Sequence, residues 1–354
     1  MRCPTLQELP SPPEGKTGWP WTEESPCLGK RMSDDRPWPK ISIITPNYNY
    51  AGFLELTMRS VLLQGYPDLD YIIIDGGSTD GSVDIIRKYE KWLGHWISER
   101  DRGTSDALNK GFVAARGDVA ALLCSDDVYT PGALEVVARA FSSGADCQII
   151  NGDVRVENVA EETTLVVRSG EVTFDRLIRY WNPGFIPPSI AVFFRRKVLE
   201  EVGLFNDALR YANDLDMWLR MARIYPFVYV PHVFAVYCIH PRSNSGQGWD
   251  KFEPEWALVA RAYWGKPWHW RFWQVWVEMW VHRLSVWTRR LRELYIKAAC
   301  EALLAGKRCR CLWHLSVVFA CSPCFAIRGA KSLVLRALLG ERTATRIKRF
   351  LGRS

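Results

Sequence analysis

Three nearly unbroken apolar runs, KISIIT (40–45), YIII (71–74) and VAALL (119–123), are separated by stretches with helical spacing. A strand with one wet face alternates apolar and polar residues, whereas an unbroken apolar run needs cover on both faces. Parallel strands joined by helical crossovers supply that cover. The pattern therefore predicts an α/β fold with a mainly parallel central sheet flanked by helices. The expected helices span 53–64, with Leu54, Met58, Val61 and Leu62 on one face, then 82–92, 104–116 and 131–141. Pro131 suits a first helical turn. After Asn151 the rhythm changes: 154–167 reads as a hairpin, 190–195 as a strand, 214–223 as a helix and 227–230 as a short strand.

The flanks differ from this body. The first forty residues hold eight prolines and little apolar periodicity, so 1–38 is expected to be a disordered leader, with Met32 an alternative start. No basic start runs into an apolar stretch there, so no secretory signal is read and the ten cysteines are expected as free thiols in a reducing compartment. Cys309, Cys311, Cys321 and Cys324 have loose spacing and apolar surroundings, which favours buried thiols over zinc. Residues 39–250 form the expected catalytic body, and 251–354 a Trp-rich basic helical extension. From Lys266 onward 18 Lys/Arg face 4 Glu, a net +14, which leaves −7 on the first 265 residues of a +7 chain. Trp268, Trp270, Trp273, Trp276, Trp280 and Trp287 lie among Arg271, Arg283, Arg289, Arg290 and Arg292. Aromatic anchors among arginines suit the surface of an anionic membrane. The uncharged stretch 312–327 is short of the about 20 residues a span needs. The expectation is a membrane-prone extension, peripheral on the inner face of the cytoplasmic membrane; the alternative is a helical subdomain packed on the body. Nucleic acid is disfavoured as a partner, because no recognition module accompanies the basic aromatics.

Ligands of open parallel sheets bind outside the carboxyl ends of the strands. Three polar clusters fall there. One is Pro46-Asn47-Tyr48-Asn49, a second runs from Asp75 through Gly76 and Ser78 to Ser82, and a third is Ser125-Asp126-Asp127. Each alone reads equally well as a turn or helix cap. Together on one sheet edge they read as a site. Adjacent carboxylates at a strand end are tolerated where a divalent cation, Mg2+ or Mn2+, neutralises them and phosphate oxygens complete its shell. Gly76 and its neighbour let backbone approach a ligand closely.

The ordered set TPNYN, IIIDGGSTDGS, SERDRGTSDALNKGF, LLCSDD and YANDLDMWLR resembles the family 2 inverting glycosyltransferases of the GT-A nucleotide-sugar-binding fold, over about residues 40–245. The resemblance implies that Asp75 contacts the nucleotide base and that Ser125-Asp126-Asp127 is the D-x-D-type motif. Cys124 stands where the first Asp of that motif is usual. It further implies metal ligation by Asp126, with Asp127 and His240, donor-site roles for Asp101 and Asp106, and Asp214 as general base. Arg102 or Lys110 would offset diphosphate charge; the alternative for both is a solvated helix face. Asn213 departs from the Glu usual before that base, and it also suits a helix cap. The implied activity is transfer of a sugar from a nucleotide diphosphate, UDP favoured, to a hydroxyl of a glycan or lipid-linked acceptor, as in surface polysaccharide assembly. A sugar nucleotidyltransferase would need a Gly-rich loop with a basic residue after the first strand, which TPNYNYAG lacks. An inactive membrane scaffold is opposed by the intact Asp75, Asp126, Asp127 and Asp214. No G-x-G-x-x-G follows strand one, which argues against a Rossmann dehydrogenase.

Overall fold

The computed structural model describes residues 1–304, apart from 145, 183, 185, 249, 250 and 268. Chain contacts divide it into two units, Met1–Gly265 and Lys266–Ser354.

In the first unit the three apolar runs are strands β1 (Ile41–Asn47), β2 (Leu69–Asp75) and β4 (Val119–Leu122), buried throughout. They pair in parallel, β1 between β2 and β4, and β3 (His95–Ser98) adds to the outer side of β2. The crossovers are α1 (Ala51–Leu62), α2 (Ser82–Tyr89) and α3 (Thr104–Ala114). Gly111 of α3 lies against Ile44, where a Cβ would collide, so that helix sits close on the sheet. β5 (Val128–Tyr129) and α4 (Ala133–Ser143) follow.

The remaining strands are β6 (Ile149–Asn158), β7 (Thr163–Val167), β8 (Val192–Arg195) and β9 (Phe227–Ile239), with α5 (Phe174–Leu177), α6 (Val198–Val202) and α7 (Asn213–Ala222) between them. α8 (Glu253–Arg261) completes the unit. The sheet order is β3-β2-β1-β4-β8-β6-β9-β5, with β7 beside β6. β8 runs antiparallel to both β4 and β6, and β5 antiparallel to β9. The expectation of a mainly parallel sheet is thus corrected: the strands after Asn151 make it mixed, β7 returning beside β6 as a hairpin and β8 entering antiparallel between β4 and β6.

Two further expectations change. The strand expected over 227–230 continues to Ile239. Pro231 hid the continuation, since proline cannot donate to a ladder. The β6–β9 register shifts between Asn151 and Val154, so Pro231 falls at an irregularity. The 1–38 segment is not disordered. It is held by the body: Cys3, Leu9, Trp21, Met32 and Trp38 are buried, and Ser25 and Leu28 donate backbone N–H bonds to Leu63 and Gly65 carbonyls. Its main anchor is the buried Arg59 of α1. That guanidinium donates to the carbonyls of Pro10 (2.9 Å), Pro20 (3.0 Å) and Trp21 (3.0 Å) and to the Tyr89 hydroxyl. Prolines withhold backbone donors but leave carbonyls, and an arginine with five donors collects them.

The second unit is described over α9 (Trp270–Leu304), a 35-residue helix. No described helix is long and apolar enough to cross a membrane. Cys309, Cys311, Cys321, Cys324 and the 312–327 stretch lie outside the described residues, while Cys3, Cys27, Cys124, Cys147 and Cys238 are free thiols.

Candidate active site

β1 and β2 end side by side, with Asn47 paired to Asp75. The Asp75 carboxylate is buried and crowded with donors. Asn47 Nδ2 (2.6 Å) and Ser78 Oγ (2.5 Å) reach Oδ1, while Ser98 Oγ (2.6 Å) and the Gly77 and Ser78 N–H groups reach Oδ2. Burial opposes its ionisation, but these donors outweigh burial and hold the carboxyl below its ordinary range. Gly77 has φ +82°, which lets the turn fold back onto Asp75. Gly76 faces the Asp101 carboxylate, where a Cβ would come within 2.8 Å of Oδ2.

The loop after β1 is tied to the loop after β2. Asn49 donates its N–H to Ser78 Oγ and accepts the Thr79 N–H, and Asp80 accepts the Ala51 N–H at the start of α1. Pro46 sits beyond the stretch of β1 that pairs with β4, where no second ladder asks for its missing N–H. Tyr48 is exposed beside this pair of loops, and the buried Asn47 Oδ1 accepts no hydrogen bond.

The third cluster follows β4. Thr57 of α1 donates to the carbonyls of both Ser125 (3.0 Å) and Asp127 (2.8 Å), which fixes the turn between β4 and β5. The end of β9 closes over this turn. Asp127 Oδ1 accepts the Cys238 N–H at 2.9 Å, and His240 Nε2 lies 3.2 Å from Asp126 Oδ2. The Arg242 N–H points at His240 Nδ1 at 3.3 Å, which leaves Nε2 as the ring nitrogen that faces Asp126. Phe53 stacks on the imidazole with centroids 4.4 Å apart. The long β9 therefore delivers His240, which a strand ending at Val230 could not do.

Among the described residues no hydrogen-bond donor reaches the buried Asp127 Oδ2. One ligand atom from each of Cys124, Asp126 and Asp127 lies within 4.8 Å of the others. Burial raises the Asp126 carboxyl, partly offset by His240. Burial and the Asp126 charge raise Asp127 well above its ordinary range. The Cys124 thiol is raised further by burial and then by the charges of Asp127, Asp126 and Asp214. A buried carboxyl oxygen without a donor, beside a second carboxyl, is what a divalent cation relieves. The residues present therefore fit the cation expected from the sequence, with His240 a nitrogen donor at the rim.

Asp214 opens α7. Burial raises its carboxyl to about 6, against the Leu215 N–H that its Oδ1 accepts. Asn213 does not cap the helix; it donates to Ser105 and accepts the Asp214 N–H. The entry to α7 is held instead by Glu255 of α8, whose Oε2 accepts the N–H groups of Arg210, Tyr211 and Ala212 at 3.0, 2.6 and 3.0 Å. Asp216 faces away and pairs with Arg220 at 2.8 Å. Just before α3, Arg102 bonds Asp106 (2.7 Å) and Asp207 (2.7 Å), and on the helix Lys110 bonds Glu99 (2.7 Å) and lies 3.6 Å from Asp106. Asp101 accepts the Gly103 N–H in the turn that precedes α3. Both basic residues are thus balanced by carboxylates of the same chain.

Thr57, Phe53 and Glu255 were not singled out from the sequence. Phe53 and Thr57 belong to the face of α1 that begins at Tyr50, so their four-residue spacing was a visible signal; nothing marked Glu255.

The sequence model described as "Glycosyl transferase family 2" matches residues 42–203. A PGL/p-HBAD biosynthesis glycosyltransferase of Mycobacterium bovis is 30% identical over 186 residues, 51% of this chain and 69% of that protein. The chain belongs to glycosyl transferase family 2. An uncharacterized glycosyltransferase, alr2836 of Nostoc sp., is 33% identical over 172 residues, covering 46% of this chain and 53% of that one. The chain thus spans about half the length of that relative, and 36% of an uncharacterized glycosyltransferase of Rickettsia felis. Among solved structures, a mannosyltransferase from Pyrobaculum calidifontis, in complex with GDP-Man and Mn2+, gives a TM-score of 0.52 at 20% identity, covering 95% of this chain and 88% of that one. S. aureus TarS 1-349 in complex with UDP-GlcNAc gives 0.50 at 16% identity, covering 84% and 79%. Family 2 membership and a GT-A-like α/β fold are therefore established for the chain. The matched span ends at Gly203, before Asp214 and His240.

Proposed function

We propose that this chain is an inverting, metal-dependent glycosyltransferase. It would move a sugar from a nucleoside diphosphate, UDP favoured, to a hydroxyl of a glycan or lipid-linked acceptor in cell-surface polysaccharide biosynthesis. The observation that carries this reading is the meeting of Asp126, Asp127 and His240 at one strand end, within electrostatic reach of a base-like Asp214.

Asp126 and His240 would hold the cation, with Asp127 behind them. A bound Mg2+ or Mn2+ supplies positive charge for the departing diphosphate. The loops at Asn47–Asn49 and Asp75–Ser78 would receive the nucleoside. Because Asp75 is saturated by its own turn, its part there is to shape the loop that the base meets. Asp214 takes the proton of the acceptor hydroxyl. The hydroxyl oxygen bonds to the anomeric carbon as the bond to the diphosphate oxygen breaks on the opposite face. The leaving diphosphate keeps that electron pair, and the configuration inverts.

The test is Mn2+-dependent turnover of a panel of nucleotide sugars by wild type and by Asp214→Asn. Wild type is expected to exceed the variant by about 10²–10⁴-fold, the usual worth of a general base. Equal turnover would favour an inactive scaffold. Pyrophosphate release from a nucleoside triphosphate and a sugar phosphate would favour a nucleotidyltransferase.

A further inference from the structure

α9 carries apolar surface that is exposed among the described residues. Trp270, Trp273, Trp276, Val277, Trp280, Val281, Leu284, Trp287 and Leu294 are each between 36% and 69% exposed. At about 100° per residue these nine positions fall within an arc of about 140°. None of the six Lys/Arg and three Glu of the helix falls in that arc. Phe272, Val275 and Met279, on a different face, are buried. The helix thus has an inner apolar face already covered and a second, wider one that is not. Exposed apolar area on this scale, rimmed by polar groups, marks a binding surface.

Charge decides the occupant. By sequence Arg283 and Glu301 border one edge of the arc, with Arg290 and Lys297 about 20° and 40° farther round, and the helix carries six Lys/Arg against three Glu. The Arg283 guanidinium sits 5.7 Å over the Trp280 ring. A second copy would bring together two segments that each carry a net +14 from Lys266 onward. It would also need only a narrow seam, whereas this face covers more than a third of the circumference. A lipid surface takes the whole arc: indole rings lie at headgroup depth and basic side chains meet anionic phosphates. The helix is about 52 Å long, and its charged residues bar it from crossing.

We propose that the Trp-lined face of α9 is an interfacial anchor that lies flat on an anionic lipid bilayer. It would fasten the enzyme to the surface without a span, and it stands independently of the transferase reading.

The test is flotation of the full chain with vesicles of phosphatidylcholine alone and of phosphatidylcholine with phosphatidylglycerol. Flotation is expected with the anionic vesicles, weakened by 0.5 M salt. A Trp273→Ala/Trp280→Ala/Trp287→Ala variant should lose at least about tenfold in partitioning, because its anchors are gone. An Arg290→Glu/Lys297→Glu variant should lose its preference for anionic over neutral vesicles. Unchanged thermal melting shows that both variants fold. Failure of wild type to float, or equal flotation of the triple variant, overturns the proposal. So does a triple variant that floats like wild type but drops from dimer to monomer by light scattering, which would assign the face to a second copy.

Discussion

A carboxyl held at about 6 is a serviceable base at neutral pH and a liability to the fold. Acceptor transfer should rise with pH through about 6 with a slope of one as Asp214 loses its proton, then level off. A rate that falls over this range would remove Asp214 from the role of base. The stability consequence has the opposite sign. The unfolded carboxyl ionises near 3.8 and the folded one near 6, so folding becomes less favourable as pH rises between those values and stays so above them. Asp214→Asn should therefore melt higher than wild type at pH 7, by on the order of 2–3 kcal/mol, while it is catalytically impaired. A variant that is both inactive and less stable would mean that Asp214 acts as a structural cap.

At the scale of elements, legibility followed periodicity. β1, β2, β4 and the helices between them were readable because unbroken apolar runs and helical stripes repeat over many residues, and each of those strands is fully buried. β3 was missed because four half-exposed residues carry no pattern. β9 was truncated at Pro231, and with it the reason why His240 reaches Asp126. The 1–38 segment was misread because its order rests on side chains elsewhere, chiefly Arg59, and not on its own composition. The candidate site was legible as residue types at strand ends. What holds them, Thr57 and Phe53 of α1 and Glu255 of α8, depends on long-range contacts that local sequence does not encode.

Two outcomes follow from those supports. Arg59→Ala leaves several carbonyls and the Tyr89 hydroxyl without their donor. It should cost at least about 2–3 kcal/mol and expose bonds before residue 39 to protease; a protease-resistant variant of wild-type stability would contradict the anchor. Glu255→Ala frees the backbone that enters α7, so turnover should fall with little change in donor affinity. An equal loss of both would place Glu255 in fold maintenance only.

Over the whole molecule, the formal −7 of the first 265 residues counts Asp126 and the buried Asp127, whose Oδ2 has no hydrogen-bond partner among the described residues. Without a cation, Asp126 and Asp127 retain protons above their ordinary range because burial and mutual repulsion disfavour ionisation. The unfolded chain ionises both at lower pH, so cation-free stability should decline as pH rises from acid toward neutral. A cation competes with those protons, so its stabilising effect must grow over the same range. Thermal melting with and without Mn2+ should therefore show a small difference at pH 5 and a larger one at pH 8. At a hundredfold excess over the dissociation constant the gain is about 2.7 kcal/mol. Asp126→Asn, which keeps the hydrogen bond to His240 possible while removing the charge, should abolish the increment without unfolding the chain. If Mn2+ stabilises equally at both pH values, the cation binds elsewhere, and the strand-end carboxylates are buried for a reason other than holding metal.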